Sequence, residues 1–173
     1  MTNNLIIVGA GGHGKVVLDA ALKQKKYNII GFADDGKGVG SKVSGDYMVI
    51  CDNSAVLQMQ NIHYFIVAIG NNTIREKIFN ELKDKLKPAT IIHTSAVISD
   101  NANIQFGTVV LANAVINPGA NIGNNCIINA MALVDHDSTI GNNTHLSPGT
   151  IVGSHTNIPN NYTSTLGEKI KSN

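Results

Sequence analysis

The chain has no tryptophan, and aromatic residues make up only 5% of its 173 positions. A core cannot rest on large planar side chains here, so whatever is packed must be packed mainly with aliphatics. Charge is scarce too, at 14%, with 13 Lys and Arg against 12 Asp and Glu. Lys23, Lys25 and Lys26 form the one basic cluster, on what reads as ordinary helix surface. A chain of net charge +1 without a basic stripe is a poor match to a phosphate backbone, so no nucleic acid is expected as partner. Two cysteines, Cys51 and Cys126, are too few for a secreted disulfide framework. No apolar run approaches the ~18 residues of a membrane span, and no leader-like segment precedes the first apolar run. These absences point to a cytoplasmic protein with no membrane contact.

What is present is a period of six. From Ile92 every sixth residue is aliphatic: Ile98, Ile104, Val110, Ile116, Ile122, Ile128, Val134, Ile140, Leu146, Val152 and Ile158. Four residues after each stands a second series, Ala96, Ala102, Thr108, Ala114, Ala120, Cys126, Ala132, Ser138, Thr144, Thr150 and Thr156, small throughout until Tyr162. A period of six is neither helical (3.6) nor that of one alternating strand (2.0). It belongs to a hexapeptide solenoid, in which three short strands and their turns make one triangular coil. The aliphatic fills the interior and the small residue fits the corner. About four coils stacked at ~4.8 Å would give a prism about 20 Å tall. Beyond Ile158 the segment Thr163–Asn173 shows no further hexapeptide, so it is expected to be a tail, with the last strand edge capped by it or by another subunit.

The first half reads differently. Leu5–Val8, Ile29–Phe32 and Tyr64–Ile69 are short apolar strands, and helices are expected from Val16 to Lys25 and from a Thr73 cap to about Leu86. Strands alternating with helices imply a small α/β unit on a parallel sheet. Gly9, Gly11 and Gly14 sit between the first strand and helix at dinucleotide-binding spacing, with Asp34 and Asp35 ending the next strand. The same stretch nearly fits a nucleotide-hydrolase phosphate loop, but Val16 stands where a hydroxyl must hold Mg²⁺, which argues against an NTPase. Gly70, Asn71 and Asn72 end a further strand and face the same crevice by topology. Arg75 could meet a phosphate or a neighbouring carboxylate, and Gly36–Gly45 reads as a flexible glycine-rich loop that closes over a ligand or is disordered. The bland alternative is that these glycines only close a turn.

On the solenoid, His136 is flanked by Asp135 and Asp137 on an otherwise weakly charged surface. A carboxylate beside an imidazole fixes its tautomer and raises its basicity, as a general base requires. His136, His145 and Asp137 could in principle share a metal, but no closely spaced ligand pair is present, and no metal is expected.

With Gly9–Gly14, Gly70–Arg75 and a hexapeptide solenoid carrying His136 and Asp137, the chain resembles the bacterial sugar O/N-acyltransferases of the sialic-acid O-acetyltransferase type. It is most similar to the acetyl-CoA-dependent N-acetyltransferases of nucleotide-linked 4-amino sugars. The resemblance implies a Rossmann-like domain (1–89), a left-handed parallel β-helix (90–162) and a tail (163–173). It implies a homotrimer with acetyl-CoA between neighbouring helices. The nucleotide of the sugar substrate, rather than NAD, would lie against Gly9, Gly11, Gly12, His13, Gly14, Asp34, Asp35, Gly70, Asn71 and Asn72. His136 would be the base and Asp137 its orienting partner, where the family commonly has Glu. Asn129 and His145 would contact the acetyl donor. The family's chains usually run two or three coils further. A solenoid ending at Ile158 leaves, as the alternative, a non-catalytic trimeric sugar-nucleotide-binding or scaffold protein.

Overall fold

A computed structural model describes residues 3–171; Met1, Thr2, Ser172 and Asn173, which belong to the expected first domain and tail, lie outside the described residues. The chain forms two compact units that divide between Ala89 and Thr90. Among the described residues no helix is long and apolar enough to cross a membrane.

The first unit runs β1 (Asn4–Val8), α1 (Gly12–Gln24), β2 (Asn28–Ala33), β3 (Lys42–Ser44), β4 (Tyr47–Cys51), β5 (Tyr64–Val67), α2 (Asn72–Leu82) and β6 (Lys87–Pro88). They make one sheet in the order β3-β4-β2-β1-β5-β6, parallel except for the β3–β4 pair. Leu5, Ile6, Ile7 and Val8 are all fully buried, as a central parallel strand covered on both faces requires. The core continues through Phe65, Val67, Ile78, Phe79 and Leu82.

Three expectations need correcting. Helix α1 starts at Gly12, not Val16, because the glycines themselves supply the first turn; Val16 is exposed while Val17, Ala20 and Ala21 are buried. Helix α2 is capped by Asn71, whose Oδ1 accepts the Ile74 N–H at 3.0 Å, and it ends at Leu82; Thr73 is not the cap. The Gly36–Gly45 segment is partly a hairpin, since Lys42–Ser44 pairs antiparallel with β4 and Gly40 N–H donates to Val49 O at 2.8 Å.

The second unit is the β-helix. Two-residue strands stack in parallel with a register of 18 residues, on three sheets. The first runs through Ile91–Ile92, Val109–Val110, Ile127–Ile128 and His145–Leu146. The second runs through Val97–Ile98, Val115–Ile116, Leu133–Val134, Ile151–Val152 and Lys169–Ile170. The third runs through Asn103–Ile104, Asn121–Ile122, Thr139–Ile140 and Asn157–Ile158. The aliphatic column from Val110 to Ile158 is the buried core, with Ala114, Ala120, Cys126 and Ala132 in the corners. The small polar residues do more than fit. Thr108 and Ser138 hydroxyls donate to Gly123 O and Gly153 O, each at 2.8 Å, so buried corner hydroxyls are satisfied by carbonyls of the next coil.

The coil does not end at Ile158. Lys169–Ile170 pairs with Ile151–Val152, Thr163 bridges to His145, and Ile170 packs on the same core. Residues 163–171 are therefore a further part of the solenoid rather than a separate tail. The six-residue column continues as Ser164 and then Ile170. Ser164 is buried, its hydroxyl accepting from Ser147 N–H and sharing a 2.7 Å hydrogen bond with Thr150 Oγ1. Tyr162, bulky at a corner, donates its hydroxyl to Glu168, which also accepts the Thr165 N–H.

A third column, invisible as hydrophobicity, is set by backbone. Gly107, Asn113, Gly119, Asn125, Met131, Asp137, Asn143, Gly149, His155, Asn161 and Gly167 all have positive φ, six residues apart. Left-handed backbone costs roughly 1–2 kcal/mol for most residues and little for Gly or Asn. Asp137 and His155 are also residue types enriched in left-handed backbone, which leaves Met131 as the one exception at this corner.

Candidate active site

In the first unit a crevice of about 440 Å³ opens at the carboxyl ends of the parallel strands. Gly11, Gly12, His13, Asp34, Asp35, Gly36, Asn53, Ala68, Ile69, Gly70 and Ile74 line it. Of the residues expected to hold a nucleotide, Gly11, Gly12, His13, Asp34, Asp35 and Gly70 meet here, whereas Gly9, Gly14, Asn71 and Asn72 do not line it. A Cβ on Gly9 would press on Ala68 O at 2.8 Å, and one on Gly14 would collide with the Gly9 carbonyl oxygen. Those two glycines serve the strand–helix packing. A Cβ on Gly11 or Gly12 would meet nothing within 4 Å, so the space beside them is open. Helix α1 has no side-chain cap at Gly11, and its first N–H groups face the anion-favouring end of the helix dipole.

The two acidic residues have separate tasks. Asp34 accepts the Ala10 N–H at 2.6 Å and the Gly36 N–H at 2.8 Å, tying the glycine loop to the end of β2. Asp35 holds Asn53 through its backbone N–H at 2.8 Å and its amide at 2.9 Å. Arg75 ties the segment between β5 and α2 to the helix. It is buried, and its guanidinium donates to Ile69 O (2.9 Å), Gly70 O (3.1 Å) and Asn72 Oδ1 (2.7 Å), fixing the rim of the crevice.

In the second unit His136 and Asp137 follow the Leu133–Val134 strand. Asp137 Oδ2 lies 2.8 Å from His136 Nδ1. A carboxylate only accepts, so Nδ1 carries the proton and Nε2 presents its lone pair. The Asp137 hydrogen bond, and after it the charges of Asp135 and Asp137, raise the His136 pKa above its ordinary value against an opposing desolvation. Asp135 plays another part. It accepts the His136 backbone N–H and the Asn117 amide, each at 2.8 Å, which hold its own pKa low. Gly119 lies one coil before Asp137, and a Cβ there would overlap the Asp137 carboxylate. Asn117, Gly119 and His155, whose ring meets His136 edge-on at 5.1 Å, were not anticipated. Asn117 and Gly119 lie 18 residues before Asp135 and Asp137, and His155 lies 19 after His136, so each partner is about one coil away, which is the signal that finds them.

His145 lies in the last strand of the first sheet, Asn129 follows the strand before it, and the two are paired. Asn129 Nδ2 donates to His145 Nε2 at 3.1 Å, while Asn129 Oδ1 accepts the Ala130 N–H at 2.8 Å.

Comparison with known proteins agrees with both units. Residues 4–82 match the model of the PglD N-terminal domain family. UDP-N-acetylbacillosamine N-acetyltransferase of Bacillus subtilis is 35% identical over 111 residues, 61% of this chain and 50% of that protein. The chain thus spans about half the length of this curated relative. The acetyltransferase domain of PglB from Neisseria gonorrhoeae superposes with a TM-score of 0.83 at 30% identity, covering 98% of this chain and 91% of that one. The same domain has been solved in complex with acetyl coenzyme A. PerB from Caulobacter crescentus, solved in complex with CoA and GDP-perosamine, superposes with a TM-score of 0.78 at 25% identity over 96% of this chain and 91% of that one. A PglD-type first domain, a left-handed parallel β-helix and a full-length match at this identity place the chain in the family of left-handed β-helix sugar acyltransferases.

Proposed function

We propose that this chain transfers the acetyl group of acetyl-CoA to the amine, or a hydroxyl, of a nucleotide-linked sugar in surface-glycan biosynthesis. The observation that carries the reading is the His136–Asp137 pair on the face of a β-helix whose relatives bind acetyl-CoA or CoA. The amine attacks the thioester carbonyl and its proton passes to His136 Nε2 as the N–C bond forms. Collapse of the tetrahedral intermediate breaks the C–S bond, and the thiolate leaves as CoA. Asp137 keeps Nδ1 protonated and stabilises the imidazolium. Asn129 and His145 contact the acetyl-donor end. The nucleotide lies in the crevice beside Gly11 and Gly12, its phosphates toward the start of α1. Calorimetric titration tests this: acetyl-CoA and a UDP- or GDP-linked amino sugar should each bind with one site per chain. No heat from acetyl-CoA at millimolar concentration would overturn it. The scaffold alternative rested on a solenoid ending at Ile158, and the Lys169–Ile170 strand extends the solenoid by part of a coil beyond that point.

The raised pKa of His136 gives a pH prediction. The base must be neutral, so kcat/KM falls as pH drops through that pKa. In Asp137→Asn the largest cause of the rise is removed while the Asp135 charge remains, so the acid limb of the profile moves to lower pH while kcat falls. An unmoved limb with the same loss of kcat would show that Asp137 serves the fold alone.

We place the chain in a homotrimer. Support comes from the outward side of the second sheet, where Val97, Val115, Leu133 and Ile151 stack in register. Val97 is 63% and Ile151 40% exposed, whereas the third sheet presents Asn103, Asn121, Thr139 and Asn157 outward. A continuous apolar ladder beside a polar one marks an association surface. Leu133→Glu should yield monomer in sedimentation velocity; an unchanged trimer would remove this face from the interface.

A further inference from the structure

We propose that His136, Asp137 and His155 form a site for a divalent transition cation such as Zn²⁺. Each offers a donor atom, and these atoms all lie within 4.8 Å of one another. A tetrahedral zinc with bonds of ~2.0–2.2 Å holds its ligand atoms about 3.4 Å apart, so the set has to contract by at most about 1.4 Å to close on the ion. Two imidazoles and a carboxylate are ligands that zinc favours, and three of them leave a fourth position for water. The backbone is already registered, since His155 N–H donates to His136 O at 3.1 Å. Asp137 and His155 stand on the positive-φ corner where most other positions are Gly or Asn. Their side chains are thus stacked one coil apart on the same corner. Gly119, in the coil before, leaves the space that the Asp137 carboxylate occupies. No closely spaced sequence motif announces this site, because its second imidazole comes from the next coil.

The consequence rests on the proposed function: a cation held there engages the imidazole that must take the substrate's proton. The site is therefore inhibitory, a place where zinc switches transfer off. Untagged protein titrated with Co²⁺ should show saturable visible absorption bands with one site per chain. His155→Asn is the decisive variant, because Asn suits positive φ, as at Asn143 and Asn161, and keeps the coil. It should weaken Co²⁺ binding by about tenfold or more, and Asp137→Asn should do the same. Zinc should inhibit the wild-type enzyme, and His155→Asn should need about tenfold more zinc to lose the same fraction of its own rate. Absence of a saturable Co²⁺ spectrum, or equal binding by wild type and His155→Asn, would overturn the site. The spectrum is read without turnover, so it stands or falls separately from the acetyltransferase reading.

Discussion

His136→Ala should lower kcat/KM for acetyl transfer by about 10²- to 10⁴-fold, the range that a positioned general base contributes. Release of the CoA thiol is the readout. The expectation follows from the direction of the ring: Asp137 takes Nδ1, which leaves Nε2 as the proton acceptor. His136 is exposed, so its loss leaves no cavity and the melting temperature should barely move. Binding of the sugar nucleotide should also survive, because the crevice proposed to hold it belongs to the other compact unit. Turnover near the wild-type rate would remove His136 as the base.

The second large effect separates two glycines of one loop. Gly12→Leu should weaken sugar-nucleotide binding by about tenfold or more, ~1.4 kcal/mol, while leaving the fold intact. A Cβ at Gly12 meets no protein atom within 4 Å, and Leu is a good helix former at the start of α1. What the new side chain fills is space that the ligand needs. Gly14→Leu should do the opposite. Its Cβ would collide with the Gly9 carbonyl oxygen, so destabilisation of about 3 kcal/mol or more is expected, read as a large fall in melting temperature. If both variants lost stability equally, the space beside Gly12 would not be a ligand site.

The solenoid was legible because each coil interior demands an aliphatic at every sixth position, and Ile92 to Ile158 supply it without a break. Its continuation was hidden by Ser164, a polar residue in the aliphatic column whose hydroxyl is satisfied by Ser147 and Thr150. Ile170, one step further, resumes the aliphatic column only after this interruption. His136 and Asp137 could be paired from sequence because they are adjacent. The role of Asp135 could not: it holds the backbone of His136 and the Asn117 amide rather than the ring. In the first unit the glycine loop was readable, but which glycines pack and which leave space depends on the approach of Ala68 and Gly9 oxygens. The strand Lys42–Ser44 was missed because a three-residue strand in a glycine-rich stretch, with Val43 alone buried, carries no periodicity. Thr73 has a Glu three residues on, at capping-box spacing, which makes it the more visible cap in the sequence, yet it is the Asn71 side chain that reaches Ile74 N–H.

Incubation of the untagged wild-type chain with acetyl-CoA and UDP- and GDP-linked 4-amino sugars, followed by mass spectrometry, is the most direct test. The account predicts a nucleotide sugar heavier by one acetyl group, formed together with one equivalent of CoA and lost in His136→Ala. Acetyl-CoA left intact, with every sugar nucleotide and its hydroxyl-bearing counterpart unmodified, would contradict it.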